Sequence, residues 1–226
     1  MYPFFLKHFT FILLLFCAFQ SVNAQKINQF DANNQRTGVW RKFYPNKKIR
    51  YEGTFKAGKE VGIFNFYDES SSLHPIAIKE FKETTDSVLT KFYTIKGVLQ
   101  SQGNFIGKNR EGKWIYFFAD GKKMSIEYYK NNLLNGLLTN YYPNDYVAEE
   151  TNFLMGLKHG LSSKYTSDGI LIEAVNYQKN ILEGEAKYYD LKGNLKEKGI
   201  YKNGQKFGKW EFYLDGELTE KKKNKV

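Results

Sequence analysis

The stretch Gly112-Lys113-Trp114-Ile115-Tyr116-Phe117-Phe118-Ala119-Asp120-Gly121 returns near the C-terminus as Gly208-Lys209-Trp210-Glu211-Phe212-Tyr213-Leu214-Asp215-Gly216. The two leading glycines are 96 residues apart, four steps of 24, and Gly136, Gly160 and Gly184 mark the steps between. Upstream, Gly38 and Gly62 are also 24 apart. The remaining interval, Gly62 to Gly112, is 50 residues and divides as 26 plus 24 if a unit begins at Val88. Eight units then start at 38, 62, 88, 112, 136, 160, 184 and 208. A short unit stacked on its own copies makes a long surface rather than a closed pocket.

Counted from each unit start as zero, position +5 is aromatic in all eight units: Phe43, Tyr67, Tyr93, Phe117, Tyr141, Tyr165, Tyr189 and Tyr213. Position +4 is aromatic in five units (Phe66, Phe92, Tyr116, Tyr188, Phe212), and +2 is Trp in three (Trp40, Trp114, Trp210). A second aromatic recurs at +17: Phe55, Phe105, Tyr129, Phe153, Tyr177 and Tyr201, with Phe81 joining after a two-residue insertion. Turn pairs fall near +9 (Asp120-Gly121, Asp168-Gly169) and near +20 (Ala57-Gly58, Asn203-Gly204). Asp-Gly and Asn-Gly suit the positive φ angles of tight hairpins. The segments between turns are six to eight residues long, rich in aromatic and β-branched residues, and lack a sustained 3.6-residue period. The pattern predicts an all-β fold: an elongated antiparallel meander of about eight 24-residue β-hairpin repeats, an open repeat sheet. Sixteen strands at about 4.8 Å would extend on the order of 75 Å.

The recurring string, Gly-x-Trp-x-x-Tyr-Tyr followed by a turn glycine, resembles the variant MORN repeat of bacterial proteins, often labelled YwqK-family antitoxin-like. The resemblance spans residues 38 to about 218, although +2 departs from it at Thr90, Leu138, Ser162 and Ala186. It implies a non-enzymatic module for protein interaction or scaffolding, an antitoxin-like neutraliser of a partner, or lipid contact.

Lys7, His8, the apolar run 9–19 and Val22-Asn23-Ala24 read as a signal peptide over residues 1–24, cleaved after Ala24. The expected destination is periplasm, outer surface or medium. Cys17 is the single cysteine and lies within that leader, so disulfides and thiolate metal sites are excluded from the mature chain. Residues 25–37 read as an N-terminal half-repeat cap, because Phe30-Asp31-Ala32 matches the back half of a unit. Residues 38–218 form the repeat domain, and 219–226 a solvated basic tail. The net charge is +10.

The histidines outside the leader, His74 and His159, are too far apart in the repeat for a metal pair or a triad. Glu149 and Glu150 point to opposite faces of a strand, and Glu183 and Glu185 flank Gly184, read here as a turn. No catalytic residue, cofactor or metal ligand is predicted. Alternation places +2 and +4 on one face and +3 and +5 on the other. The complete +5 ladder reads as structural. The variable +2/+4 set gives the candidate partner-binding residues Trp40, Phe66, Trp114, Tyr116, Trp210 and Phe212. The expected partner is another protein of the cell envelope or an exported effector. The alternative is anionic lipid or glycan, with Lys221, Lys222, Lys223 and Lys225 as candidate anion contacts. Export argues against nucleic acid.

Overall fold

The computed structural model describes residues 26–224, so the expected leader lies outside the described residues. Eighteen strands form one antiparallel sheet. The N-terminal half holds β1 (Gln29–Phe30), β2 (Arg36–Phe43), β3 (Ile49–Lys56), β4 (Lys59–Phe66), β5 (Ala77–Phe81), β6 (Ser87–Tyr93), β7 (Leu99–Ile106), β8 (Asn109–Phe117) and β9 (Lys123–Lys130). The C-terminal half holds β10 (Leu133–Leu134), β11 (Gly136–Tyr141), β12 (Val147–Leu154), β13 (Leu157–Tyr165), β14 (Leu171–Gln178), β15 (Ile181–Tyr189), β16 (Leu195–Lys202), β17 (Gln205–Leu214) and β18 (Glu217–Asn224). Each strand pairs with the next in sequence, except that β10 and β11 form one interrupted line and both pair with β9. This is the predicted meander of sixteen repeat strands, with β1 added as a cap and β10 split from β11. Among the described residues there is no helix.

The unit-start glycines are not turns. They lie inside strands, in the left-handed region: Gly38, Gly112 and Gly208 have φ between 67° and 69°. At Gly62, Gly112, Gly160, Gly184 and Gly208 the register slips, so that one residue of one strand faces three of the next. Gln102 pairs with Ile115 and Asn104 with Glu111, leaving Gly103 against the segment 112–114. These units therefore carry a β-bulge that bends and twists the ribbon. Val88 cannot adopt this conformation cheaply, and there the bulge is absent: β5 runs unshifted against β6. The reading of Gly184 as a turn is corrected in the same way. It is the bulge of β15, and Glu183 accepts a hydrogen bond from the Asn203 amide at 2.7 Å.

True turns occupy both long edges. Asn131-Asn132, Met155-Gly156, Lys179-Asn180 and Asn203-Gly204 each hold two successive positive φ angles, the signature of a type I′ hairpin. On the other edge neighbouring turns are knitted together: Tyr44 Oη donates to the Tyr67 carbonyl at 2.9 Å, and Tyr142 Oη to that of Tyr165 at 2.9 Å.

The core lies on one face of this single sheet. Its central row is formed by +2 and +15, and side chains from +4 and +17 lean over it. Trp210, Trp114 and Phe64 are 0–2% exposed, and each ring lies on the glycine of the preceding strand. A Cβ at Gly53, Gly103 or Gly199 would approach Phe64, Trp114 or Trp210 to well under 3.0 Å. The +17 aromatic meets the same ring edge-on, as in Phe105–Trp114 at 5.0 Å and 84°, and Tyr201–Trp210 at 5.2 Å and 77°. The indole N–H donates back across the seam, Trp114 to the Asn104 carbonyl and Trp210 to that of Ile200, at 3.2 and 3.1 Å. At the N-terminal end Phe30 and Trp40 repeat this arrangement (5.1 Å, 89°), and Trp40 Nε1 donates to the Gln29 carbonyl. Two seams in the middle are built otherwise. Thr151 meets Ser162 by a buried 2.7 Å hydrogen bond, and Val175 meets Ala186, all four at most 1% exposed.

Candidate functional site

The aromatics expected to form a contact face are largely committed to this core. Trp114 and Trp210 are buried, so they cannot stack a sugar or grip a partner without unfolding the seam. Trp40 is half-buried beneath Phe30. Phe66 lies beside Phe64 and Tyr51, with the Lys79 ammonium 5.6 Å from its ring centre. Tyr116 receives a hydrogen bond from Arg110 Nη1 at 3.1 Å. Phe212 lies under Lys206 and Lys222. The +2 and +4 side chains share one face, as alternation predicts, but that face is the core rather than the surface their variability suggested.

Cations close this face further. Arg110 lies 3.9 Å from the Tyr129 ring centre and donates to the Tyr129 hydroxyl at 2.7 Å. Lys206 sits 4.0 Å over Trp210. Such pairs add about 0.5–2 kcal/mol each, depending on solvent exposure. In the last three units a groove of about 870 Å³ is lined by Lys164, Glu173, Tyr188, Glu197 and Phe212. Its charges already answer each other: Lys164–Glu173 at 2.9 Å and Lys206–Glu197 at 2.8 Å. The hydrogen bond to Glu173 raises the Lys164 pKa. Burial and the 3.2 Å contact with Tyr201 raise that of Tyr188. Among the described residues no group of three or more His, Cys, Asp or Glu is placed to hold a metal.

The lysine segment also needs correction. Residues expected to form a solvated tail make β18, paired with β17 from Gly208↔Asn224 to Leu214↔Glu217. Lys221 lies 3.8 Å from Glu211, and Lys222 3.4 Å from Glu220. Lys223 is in the strand, and Lys225 lies outside the described residues. Charged side chains on a terminal strand oppose edge-to-edge pairing.

The opposite face carries a different feature. Leu133, Leu137, Leu154, Leu157, Leu161 and Ile181 are all exposed large aliphatics. Each alternates with a core-face residue: Leu157 with Lys158, which lies over Tyr177, and Leu161 with the buried Ser162. They therefore share the outer face, along the edge that holds the type I′ turns. Leu154 and Leu157 are a register pair across their hairpin. Leu133 reaches the next turn, 3.5 Å from where a Gly156 Cβ would be. Tyr128 continues the patch beside Gly136, and Met155 stands at the turn tip, 70% exposed. Met155 holds φ 50°, a conformation better suited to Asn or Asp. Turn geometry thus gives no reason for a thioether there. The eight side chains are 37–70% exposed. They present on the order of 600 Å², at the top of the range for a monomer's largest apolar patch. Exposed Lys108, Lys113, Lys130 and Lys179 stand around it.

Sequence reading alone missed this patch. Its signal was present as the aliphatic cluster Leu133-Leu134, Leu137-Leu138, Leu154-Met155 and Leu157, but the outer face could be assigned only once the bulge register was known.

The family model described as MORN repeat variant matches residues 36–57, 110–131 and 182–203. No curated protein matches the chain. The matched stretches begin two residues before a unit glycine, and all three fit the 24-residue register. Leu133 to Ile181 falls wholly between the second and third matches. MORN repeats are generally protein- or membrane-binding modules without catalytic activity. In these three stretches the chain is similar to the variant MORN repeat, and the same register and hairpins run through the segments between them.

Proposed function

We propose that this repeat sheet is an exported protein-interaction or scaffold module, and that its contact surface is the outer-face patch of the central units. The observation that carries the reading is the clustering of eight apolar side chains, 37–70% exposed, on one face of units that otherwise keep the repeat's backbone. An aliphatic surface of that size favours association, at roughly 25 cal/mol per Å² of apolar area removed from water, less the costs of immobilisation and ordering. Scaffolding and neutralisation of an exported effector would both use such a surface.

Attachment to anionic envelope lipid or glycan is the second reading. The four exposed lysines around the patch favour it. Capture from envelope extract at low and high salt, with the wild-type chain and with Leu157→Asp, distinguishes the two. A protein retained at high salt by the wild type and lost by Leu157→Asp is the expected result. Retention of lipid or polyanion only, released by salt, would move the assignment to electrostatic attachment. Equal capture by both chains would remove the patch from the account.

A further inference from the structure

Building on the contact surface proposed above, we infer that the occupant of the central patch is a second copy of this chain, packed outer face to outer face with the repeat axes antiparallel. The argument is charge complementarity along one row. Position +1 of four successive units reads Lys113, Leu137, Leu161 and Glu185. A two-fold axis lying in the interface and parallel to β12 keeps each row over itself and reverses the order of units. Leu137 of one copy then meets Leu161 of the other, and Lys113 meets Glu185 at both ends. The row is palindromic in hydrophobicity and antisymmetric in charge, as an isologous contact requires.

The neighbouring row is apolar at the same centre. In the same four strand lines position +21 reads Asn109, Leu133, Leu157 and Ile181. Under the same operation Leu133 faces Leu157, and Asn109 faces Ile181 at both ends. Leu154, on the strand that carries the axis, faces its own copy. Both groups of the charge pair are on the surface. Lys113 is exposed. The Glu185 side chain is 76% exposed and lies 4.0 Å from Lys187, at the limit of an ion pair. An aliphatic centre on the order of 600 Å² with a polar rim approaches the roughly 800 Å² per partner of a standard interface.

The test is sedimentation velocity of the purified chain over a concentration series, with Leu161→Asp, Lys113→Glu, Glu185→Lys and the double reversal Lys113→Glu/Glu185→Lys. The wild type is expected to dimerise in the micromolar range. Leu161→Asp should be monomeric with an unchanged circular-dichroism spectrum. Each single reversal should weaken the dimer at least tenfold, and the double reversal should restore it. Within one chain the two residues are three units apart, so rescue can arise only between copies. A chain that stays monomeric at 100-fold higher concentration, or a dimer indifferent to Leu161→Asp, or single reversals that the double does not rescue, would overturn the inference. A monomer whose captured protein is still lost on Leu157→Asp would overturn the dimer alone and leave the contact surface standing.

Discussion

Between the last two units an indole lies on a glycine; between the fifth and sixth, a threonine hydroxyl meets a serine hydroxyl. Gly199/Trp210 and Thr151/Ser162 occupy the same place in the repeat, and both seams are closed to solvent. Gly103/Trp114 and Gly53/Phe64 follow the first solution, and Val175/Ala186 the second. What the repeat holds constant is closure of the seam to solvent, by rings or by small side chains. The outer seams achieve it with one large ring and no opposing side chain. The central seams use two small residues, bury less aromatic surface on the core face, and carry the apolar patch on the other. On the proposed reading, the comparison separates units that stabilise the sheet from units that offer its contact surface.

The largest effect that would sharpen this contrast is at an outer seam. Trp210→Ala should cost about 3–5 kcal/mol in urea denaturation. Gly199→Ala should cost about 1–3 kcal/mol or more, because its methyl group would enter the indole. In the Trp210→Ala background the same glycine change should be nearly neutral, since the space it needs has been vacated. Equal costs in both backgrounds would mean that the two residues do not share one volume.

A smaller effect tests whether the two seam types are interchangeable. Ala186→Trp alone should overpack its seam by about 1–3 kcal/mol. Adding Val175→Gly should recover at least about 1 kcal/mol of that loss, by converting a central seam into an outer one. The central seam slips at Asn176 and the outer one at Gly199, so no recovery would show that this register, and not side-chain volume, decides the seam.

A pH titration compares the hydroxyl-rich parts of the core. Burial, then hydrogen bonding to Glu127, raises the Tyr129 pKa; burial and Tyr201 raise that of Tyr188; Glu173 raises that of Lys164. For a phenol so shifted, folding favours the neutral form, and for the lysine it favours the cation. In each case the stabilisation is fully present below the ordinary value, 10.0 for tyrosine and 10.5 for lysine, and is lost as pH rises through the folded value. Stability should therefore fall above about pH 10, with tyrosinate absorbance appearing together with unfolding. Full ionisation in the folded chain near pH 10 would contradict this.

The architecture was legible because it rests on local chemistry. Unit glycines at 24-residue spacing, turn pairs at fixed offsets and ladder aromatics define hairpins without reference to any distant contact. The assignment of faces was not. Alternation placed +2 and +4 on one face, and the structure keeps them there; the reading went astray in taking their variability for a surface, because the ring at +2 is buried on the +15 residue of the preceding strand. The clue lay in Gly53, Gly103 and Gly199, each 11 residues before the ring that covers it. The lysines of β18 were hidden for a different reason. A charged run resembles a tail, and only the register with β17 supplies Glu211 opposite Lys221.

The most direct test of the division between stabilising and contact units sets the two faces side by side in one capture experiment at high salt. Leu157→Asp/Leu161→Asp alters the outer patch, and Tyr116→Ala/Phe212→Ala alters the aromatic face. The account predicts that the first variant keeps its unfolding midpoint, within about 0.5 kcal/mol per surface change, and loses the partner. It predicts that the second loses stability and, where still folded, retains the partner. The reverse outcome, with binding lost from a folded Tyr116→Ala/Phe212→Ala chain and kept by Leu157→Asp/Leu161→Asp, would contradict it.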